Sequence, residues 1–533
     1  MRKWLLLFIL LLPLSTLGAK GSREAEPQPI REPLESADTF VVALLKSEDP
    51  PYLNPVEATD ATSILVLDGM FEGLYAFDPK TAQPVAAIAQ AVEISEDGLQ
   101  WTFTLDKRAR FSNGEPIDAM TFLDSWLWLL DSASQESGNT SLASMFDCVV
   151  GVKEYREGSG SRSSVGIRAK SSHQLQISLR TAAPYLPALL ATLPFSAIHE
   201  SMRDHRTAME PSGIIGSGPY VVRSADTEGV LLAKHPWYRD YGAVPSDFIQ
   251  FRFLDQMGII QAYLERSIHW SLAFVPPTLL RDKSDLHISP EYSTGFYYFS
   301  AKSGAYANPQ VKKALAMLIP WNELRRDSGQ IFPTDRLIPG MTGIPDDLPQ
   351  QSSEPEGEAL ALLAAEGFPY GAGLPTLNMA VHRGSQVLGS ARRIADIWSQ
   401  ELGITVILDV VPLGMYSRFP SLSPYDFAFI TWIGDIHDPF AFLHLWTSES
   451  GYNLGNHSDP AFDALVAAAS EATDERQRQD LARIAEEHLL DSATVFPLYH
   501  GITTNIIDAS TVTGWHDNIL NIHPVRHLGT KQF

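Results

Sequence analysis

Thr39 to Leu45 is a β-rich apolar run, which predicts a strand. It is followed by a loop punctuated by Pro50, Pro51 and Pro55. From Ala61 to Tyr75 the apolar residues fall at helical spacing, with Ile64, Leu67, Met70 and Phe71 on one face. Leu99 to Leu105 alternates after the turn Glu96-Asp97-Gly98 and predicts a half-buried strand. Ala119 to Leu130 returns to helical spacing through Leu123, Trp126, Leu127 and Leu130. Asn308-Pro309 is an N-cap and N1 pair opening a helix with Val311, Ala314, Leu315 and Leu318 on one side.

The clearest unit runs from Leu377 to Val411. A strand at 377–381 leads into a helix with Ala391, Ile394, Ala395, Trp398 and Leu402 inward. Gly403 stops that helix, and 404–411 is a β-branched strand. Strand, helix and strand joined this way predict a parallel crossover. Asp459-Pro460 caps a further helix, and a longer one covers 474–490. The middle and end of the chain are therefore α/β. The Ser/Gly tract from Gly158 to Ser164 is a surface loop, and no internal repeat is present.

The amino terminus follows another logic. Arg2 and Lys3 precede an apolar core from Trp4 to Leu14, and Leu17-Gly18-Ala19 offers a cleavage site for small residues. That core is too short for the ~20 residues a spanning helix needs, so the segment reads as a secretory signal cleaved near Ala19. No cysteine follows it to carry a lipid, and no later segment reaches spanning length without charges. Residues 20–37 read as a flexible leader. The expected mature protein is exported, soluble and acidic. The full chain of 533 residues carries 40 basic and 63 acidic side chains. That balance disfavours nucleic-acid or anionic-membrane binding. The single cysteine, Cys148, rules out an internal disulfide framework and cysteine-built metal clusters.

Catalytic signatures are absent. There is no Gly-Lys for a phosphate loop, no G-x-S-x-G elbow, no G-x-G-x-x-G and no S-x-x-K. His199-Glu200 begins like a zincin, but His205 stands six residues on instead of four, off the helical face. His437, His444 and His457 near Asp438 lack recognised ligand spacing and read as hydrogen-bonded histidines around a turn. No metal and no cofactor is called for. What remains is Trp432-Ile433-Gly434-Asp435-Ile436-His437-Asp438-Pro439, following a strand expected over 425–431. A carboxylate just beyond a strand of an open α/β sheet lies where such folds place ligands. Asp435 is alternatively the cap of the helix begun by Asp438-Pro439. Gly434 beside it lets a ligand or a backbone come close.

Read in order, these segments resemble solute-binding protein family 5, the oligopeptide- and dipeptide-binding proteins of ABC importers. The resemblance runs from about Thr39 to about Trp515. Its most specific stretches are Glu96-Asp97-Gly98-Leu99-Gln100-Trp101-Thr102-Phe103-Thr104-Leu105 and Phe111-Ser112-Asn113-Gly114-Glu115-Pro116-Ile117. Leu53-Asn54-Pro55, Phe71-Glu72-Gly73-Leu74-Tyr75, Gly216-Ser217-Gly218-Pro219-Tyr220, Val311-Lys312-Lys313-Ala314-Leu315, Glu366-Gly367-Phe368-Pro369 and Phe496-Pro497-Leu498-Tyr499 continue the series.

The resemblance implies a two-lobe periplasmic-binding-protein fold with a cleft between the lobes and an inserted subdomain. The implied boundaries are 38–60, 185–295 and 500–533 for lobe one, 61–184 for the insertion and 296–499 for lobe two. It also implies a monomer that hands a short peptide to the permease subunits of an importer. By the same resemblance Asp435 pairs with the ligand's α-ammonium, beside Trp432 and Gly434. Arg383, with His382 adjacent, takes the carboxylate, and the ligand lies as a strand near Ser47 and Glu48. The chain departs from the family at Phe299-Ser300-Ala301, at Ile319-Pro320-Trp321, at Gly414 where some relatives carry Trp, and at Phe429 where some are basic. A sugar, a metal chelate or haem on the same scaffold, or a sensor role, is the alternative implied. An exported hydrolase with an unrecognised carboxylate pair is the alternative from another class.

Overall fold

The computed structural model describes residues 39–531, apart from 48–50, 57, 59, 134–139, 204–212, 274, 301–302, 328–331, 341–355, 383–386, 412–424 and 509. The expected signal and leader, and with them the cleavage site at Ala19, lie outside the described residues, as do Glu48, Arg383 and Gly414.

Thr39–Leu45 is a strand with five successive buried residues, as its unbroken apolar run requires. It pairs in parallel with Phe248–Leu254 and Trp270–Ser271 and sits inside an 11-stranded sheet. From one edge, that sheet runs Val406–Val411, Leu377–His382, Phe427–Ile433, Leu286–Phe299 and Val495–Ile507. It continues through Trp270–Ser271, Thr39–Leu45, Phe248–Leu254, Gly229–Lys234 and Tyr220–Asp226, with Phe332–Pro333 pairing off this path. Two long antiparallel strands, Leu286–Phe299 and Val495–Ile507, join the two halves. Their register shifts between Pro290 and Thr294.

On the Leu377 side, alternation along Leu286–Phe299 sends side chains to opposite faces. Tyr297 and Phe299 join a core with Val311, Leu315, Ile394, Trp398 and Phe427. Phe296 and Tyr298 join the other core with Phe442 and Trp446. The crossover predicted over 377–411 forms, with Leu377–His382 and Val406–Val411 parallel and in register from Leu377↔Val406. The intervening helix, Leu388–Leu402, buries Ala391, Ile394, Trp398 and Leu402, while Ala395 is half-buried. Gly403 ends it in the left-handed region at φ 61°, which a residue with a Cβ adopts only at a cost. The Trp398 indole N–H donates to the Leu315 carbonyl at 2.9 Å, so the buried ring leaves no polar group unpaired.

A separate antiparallel sheet of four strands, Ala89–Ile94, Gln100–Leu105, Gln174–Ser178 and Ile167–Ser171, lies between the first and second strands of the main sheet in chain order. Gln100–Leu105 alternates half-buried and buried residues as predicted. Helix Ala119–Ala133 buries Trp126, Leu127 and Leu130.

The helix expected over 61–75 is shorter, spanning Ala61–Asp68, with Ile64 exposed. The reason is tertiary. The Gly69 and Met70 carbonyls accept from the Tyr220 and Gly218 N–H groups at 2.9 and 2.8 Å, so Met70 and Phe71 are buried by a neighbouring loop and not by a helix face. The strand expected over 425–431 is Phe427–Ile433, two residues later, and takes Trp432 into the sheet.

Glu72 is only 4% exposed. It accepts from Arg239, from Arg526 Nη1 at 2.6 Å and from the Tyr238 hydroxyl at 3.1 Å. Burial alone would raise its pKa, but the two guanidinium charges outweigh burial and lower it. This network ties the start of the inserted region to the chain's last residues.

Candidate functional site

The parallel strands Leu377–His382, Val406–Val411 and Phe427–Ile433 all end at one edge of the sheet. Phe427–Ile433 is antiparallel to Leu286–Phe299, with Ile433 opposite Ser293, and the Gly434 N–H donates to the Tyr292 carbonyl at 2.8 Å. Thr39–Leu45 approaches from the opposite direction. Val42 stands level with Trp270, and Trp270 with Ile507. Thr294 is level with His500. The carboxyl ends of strands from both halves therefore point into the stretch between His500 and Thr504, where the joining strands lose register. Convergent strand ends are where open α/β sheets hold ligands.

Asp435 lies two residues past Ile433. Burial pushes its carboxyl up to about 6, with only a bond to its own backbone N–H lowering it. No described cation is placed against it. Its charge reaches the Tyr452 hydroxyl, whose pKa is raised by burial and then by Asp435.

Asp438, three residues on, is the opposite case. It accepts from Arg478 Nη2 and Nε at 2.6 and 3.0 Å, and from the Phe440 N–H at 2.9 Å. Asp438, not Asp435, is therefore the carboxylate bonded to the start of the helix Phe440–Leu443, whose N-cap position is Pro439. Of the two carboxylates, Asp438 is neutralised by Arg478, and Asp435 has no cation against it among the described residues. An unpaired buried carboxylate is costly, and a fixed cation is what relieves it.

The other residues of the expected site are distributed as follows. Trp432 is 8% exposed; its indole N–H donates to the Ala441 carbonyl at 3.1 Å and its ring meets Tyr452 edge-on at 5.3 Å. Gly434 has no room for a side chain, because a Cβ would meet Tyr292 Cδ1 at 2.6 Å and Phe442 Cε2 at 3.1 Å. The close approach there is made by the protein's own aromatic rings. His382 is the last residue of its strand, at the same edge as Ile433. Ser47 is exposed, just past Lys46, whose N–H donates to the Leu254 carbonyl at 2.9 Å. Asp435, Trp432 and Gly434 are thus brought together, His382 ends a neighbouring strand, and Ser47 enters from the other half. Tyr452, which lies between strands and helices, carried no sequence signal.

The histidines near this segment have separate partners. His444 Nε2 pairs with Ser144 Oγ at 2.7 Å, and burial and then Arg156 lower its pKa to about 4. His457 packs edge-on against Phe462. Among the described residues no group of three His, Cys, Asp or Glu could hold a metal ion. No described helix is long and apolar enough to cross a membrane. The Ser144 contact is one of several between residues 144–185 and 440–449, where Tyr185 meets Phe440 at 4.7 Å and Lys153 pairs with Glu449.

Two sets of strands aimed at a common cleft from opposite halves define a two-lobed solute-binding protein. The sequence model of bacterial extracellular solute-binding proteins, family 5 (middle region), matches residues 83–453, and the chain belongs to that family. It is similar to the oligopeptide-binding protein OppA of Bacillus subtilis, 24% identical over 95% of this chain and 94% of OppA. It is 26% identical to the periplasmic murein peptide-binding protein MppA of Escherichia coli, over 85% of this chain and 86% of MppA. The solved structure of MppA superposes with a TM-score of 0.78, at 24% identity, over 94% of this chain and all of that one. The unliganded open form of MppA superposes at 0.64, also at 24% identity, over 94% of this chain and 99% of that one.

Proposed function

We propose that this chain is the exported capture component of an ABC importer, which binds a short peptide between its lobes and passes it to the permease without chemical turnover. The observation that carries this reading is Asp435, a desolvated carboxylate without a described cation at the convergent strand ends. A peptide's α-ammonium supplies the missing charge. OppA and MppA, named for binding peptides, are relatives along nearly the full chain. In this reading Arg383 and His382 meet the ligand's carboxylate at the end of Leu377–His382. The backbone near Ser47 and Glu48 bonds the ligand as an added strand, a mode indifferent to side-chain identity. Binding closes the lobes on the ligand, so the ligand selects the closed arrangement. The protein works as a periplasmic monomer with a cleaved signal, and its acidity favours solubility over lipid contact.

Native mass spectrometry of the protein purified without denaturation tests the ligand class. Bound masses matching short peptides support the proposal. A sugar, a metal chelate or haem in their place overturns the peptide reading, and released cleavage products overturn the binding-only role.

A further inference from the structure

Glu291 stands on the strand that joins the lobes, inside the irregular stretch between Pro290 and Thr294. The last bond between the paired strands runs from the Gly434 N–H to the Tyr292 carbonyl, so Glu291 and Asp435 are the next residues beyond it on either side. The Glu291 carboxylate accepts from Ser293 Oγ at 2.7 Å. On the adjoining strand, Gly501 leaves the pair its space. A Cβ there would meet Ser293 Oγ at 1.9 Å and Glu291 Oε2 at 3.2 Å. Nearby, Tyr499 feels the Glu291 charge and shares a hydrogen bond with Thr431 Oγ1 at 3.0 Å. The residue keeps partial contact with solvent.

No described Lys, Arg or His is paired with Glu291, and burial raises its pKa with only Ser293 opposing. A purely structural acceptor for one serine hydroxyl needs no charge; a glutamine would serve it without desolvating an ion. Glu291 and Asp435, at facing positions past the last bond of the strand pair, are each raised by burial. One ammonium carries one positive charge and so balances only one of these two carboxylates.

We propose that Glu291 reads a second positive charge on the ligand, so that the preferred ligand is a short peptide with a basic side chain close to its free amino terminus. The proposal rests on the peptide reading of Asp435 and adds the ligand's chemical class to it. The excess of acidic over basic side chains, 63 to 40, draws such cations towards the protein.

Calorimetric titration with Lys-Ala-Ala, Ala-Lys-Ala and their norleucine counterparts, which keep the side-chain length and lose the amine, tests it. The wild type should prefer a lysine peptide over its norleucine match by at least ~10-fold, the effect of pairing a desolvated charge. Glu291→Gln should cut that preference to within ~3-fold and leave the norleucine peptides bound as before, since a neutral amide makes no ion pair. Equal wild-type affinity for the matched peptides, or an undiminished preference in Glu291→Gln, overturns the proposal while the peptide reading stands. Failure of all four peptides to bind the wild type removes both.

Discussion

Acidification gives the sharpest quantitative consequence of an unpaired Asp435. In the free protein its carboxyl titrates at about 6, raised by burial. An α-ammonium pairs only with the ionised form, so protons compete with the ligand. The apparent affinity is the intrinsic one divided by 1 + 10^(6 − pH), a factor near 1 at pH 7.5 and about 11 at pH 5. Binding of an uncharged-side-chain peptide such as Ala-Ala-Ala should therefore weaken about tenfold, or about 1.4 kcal/mol, between those values. The linkage also has a direct signature. At pH 6 the free carboxyl is half protonated and the complex holds it ionised, so binding should release about half a proton.

The sign for folding is opposite to that of a salt-bridged acid. The fold holds this proton more tightly than the unfolded chain, so Asp435's own contribution to the stability of the free protein falls as pH rises from 3.8 to about 6. Ligand restores it above 6. Isothermal titration in two buffers of different ionisation enthalpy, at pH 5, 6 and 7.5, reads both quantities. An affinity flat across that range, or no proton release at pH 6, rules out an ion pair between Asp435 and the ligand.

Three further outcomes follow from packing and pairing. Gly434→Ala drives a methyl against Tyr292 and Phe442 and should cost about 1–3 kcal/mol, seen as a lowered Tm; an unchanged Tm contradicts the contact. Glu72→Gln removes the carboxylate that Arg239 and Arg526 share, leaving Arg239 only its longer pairs with Asp240 and Asp106 at 3.4 and 3.8 Å, and should cost about 3–5 kcal/mol in calorimetry at pH 7. Because the Glu72 pKa is lowered, that contribution is present above 4.5 and fades below it, so wild type and variant should converge in acid. Ser144→Ala strips the buried His444 of its Ser144 hydrogen bond and should cost about 1–3 kcal/mol, seen as a lowered Tm; an unchanged Tm contradicts that bond. Small-angle scattering of the wild type should show compaction on adding ligand, and an unchanged radius at saturation argues against closure.

What the sequence disclosed follows the range of the forces involved. Thr39–Leu45 and Leu388–Leu402 were legible because burial on both faces and a single apolar stripe each leave a local pattern. The helix at Ala61–Asp68 was overextended because Met70 and Phe71 owe their burial to the loop at 216–220, some 150 residues away. Asp435 was visible as a carboxylate past a strand. Its state was not, because the choice between it and Asp438 is made by Arg478 from a distant helix. Glu291 gave no signal at all. Its meaning comes from Gly501 and Tyr499, brought beside it only when the two joining strands pair.

In the proposed function, a ligand's free amino group is what Asp435 awaits. The direct measurement is the affinity of one peptide, free and N-acetylated, for the wild type and for Asp435→Ala. Removing one partner of a desolvated charge pair costs ~2–5 kcal/mol, so the wild type should bind the acetylated form roughly 30- to 5,000-fold more weakly. Asp435→Ala should bind both forms equally poorly. Equal binding of the free and acetylated peptides by the wild type would show that Asp435 does not pair with the α-ammonium.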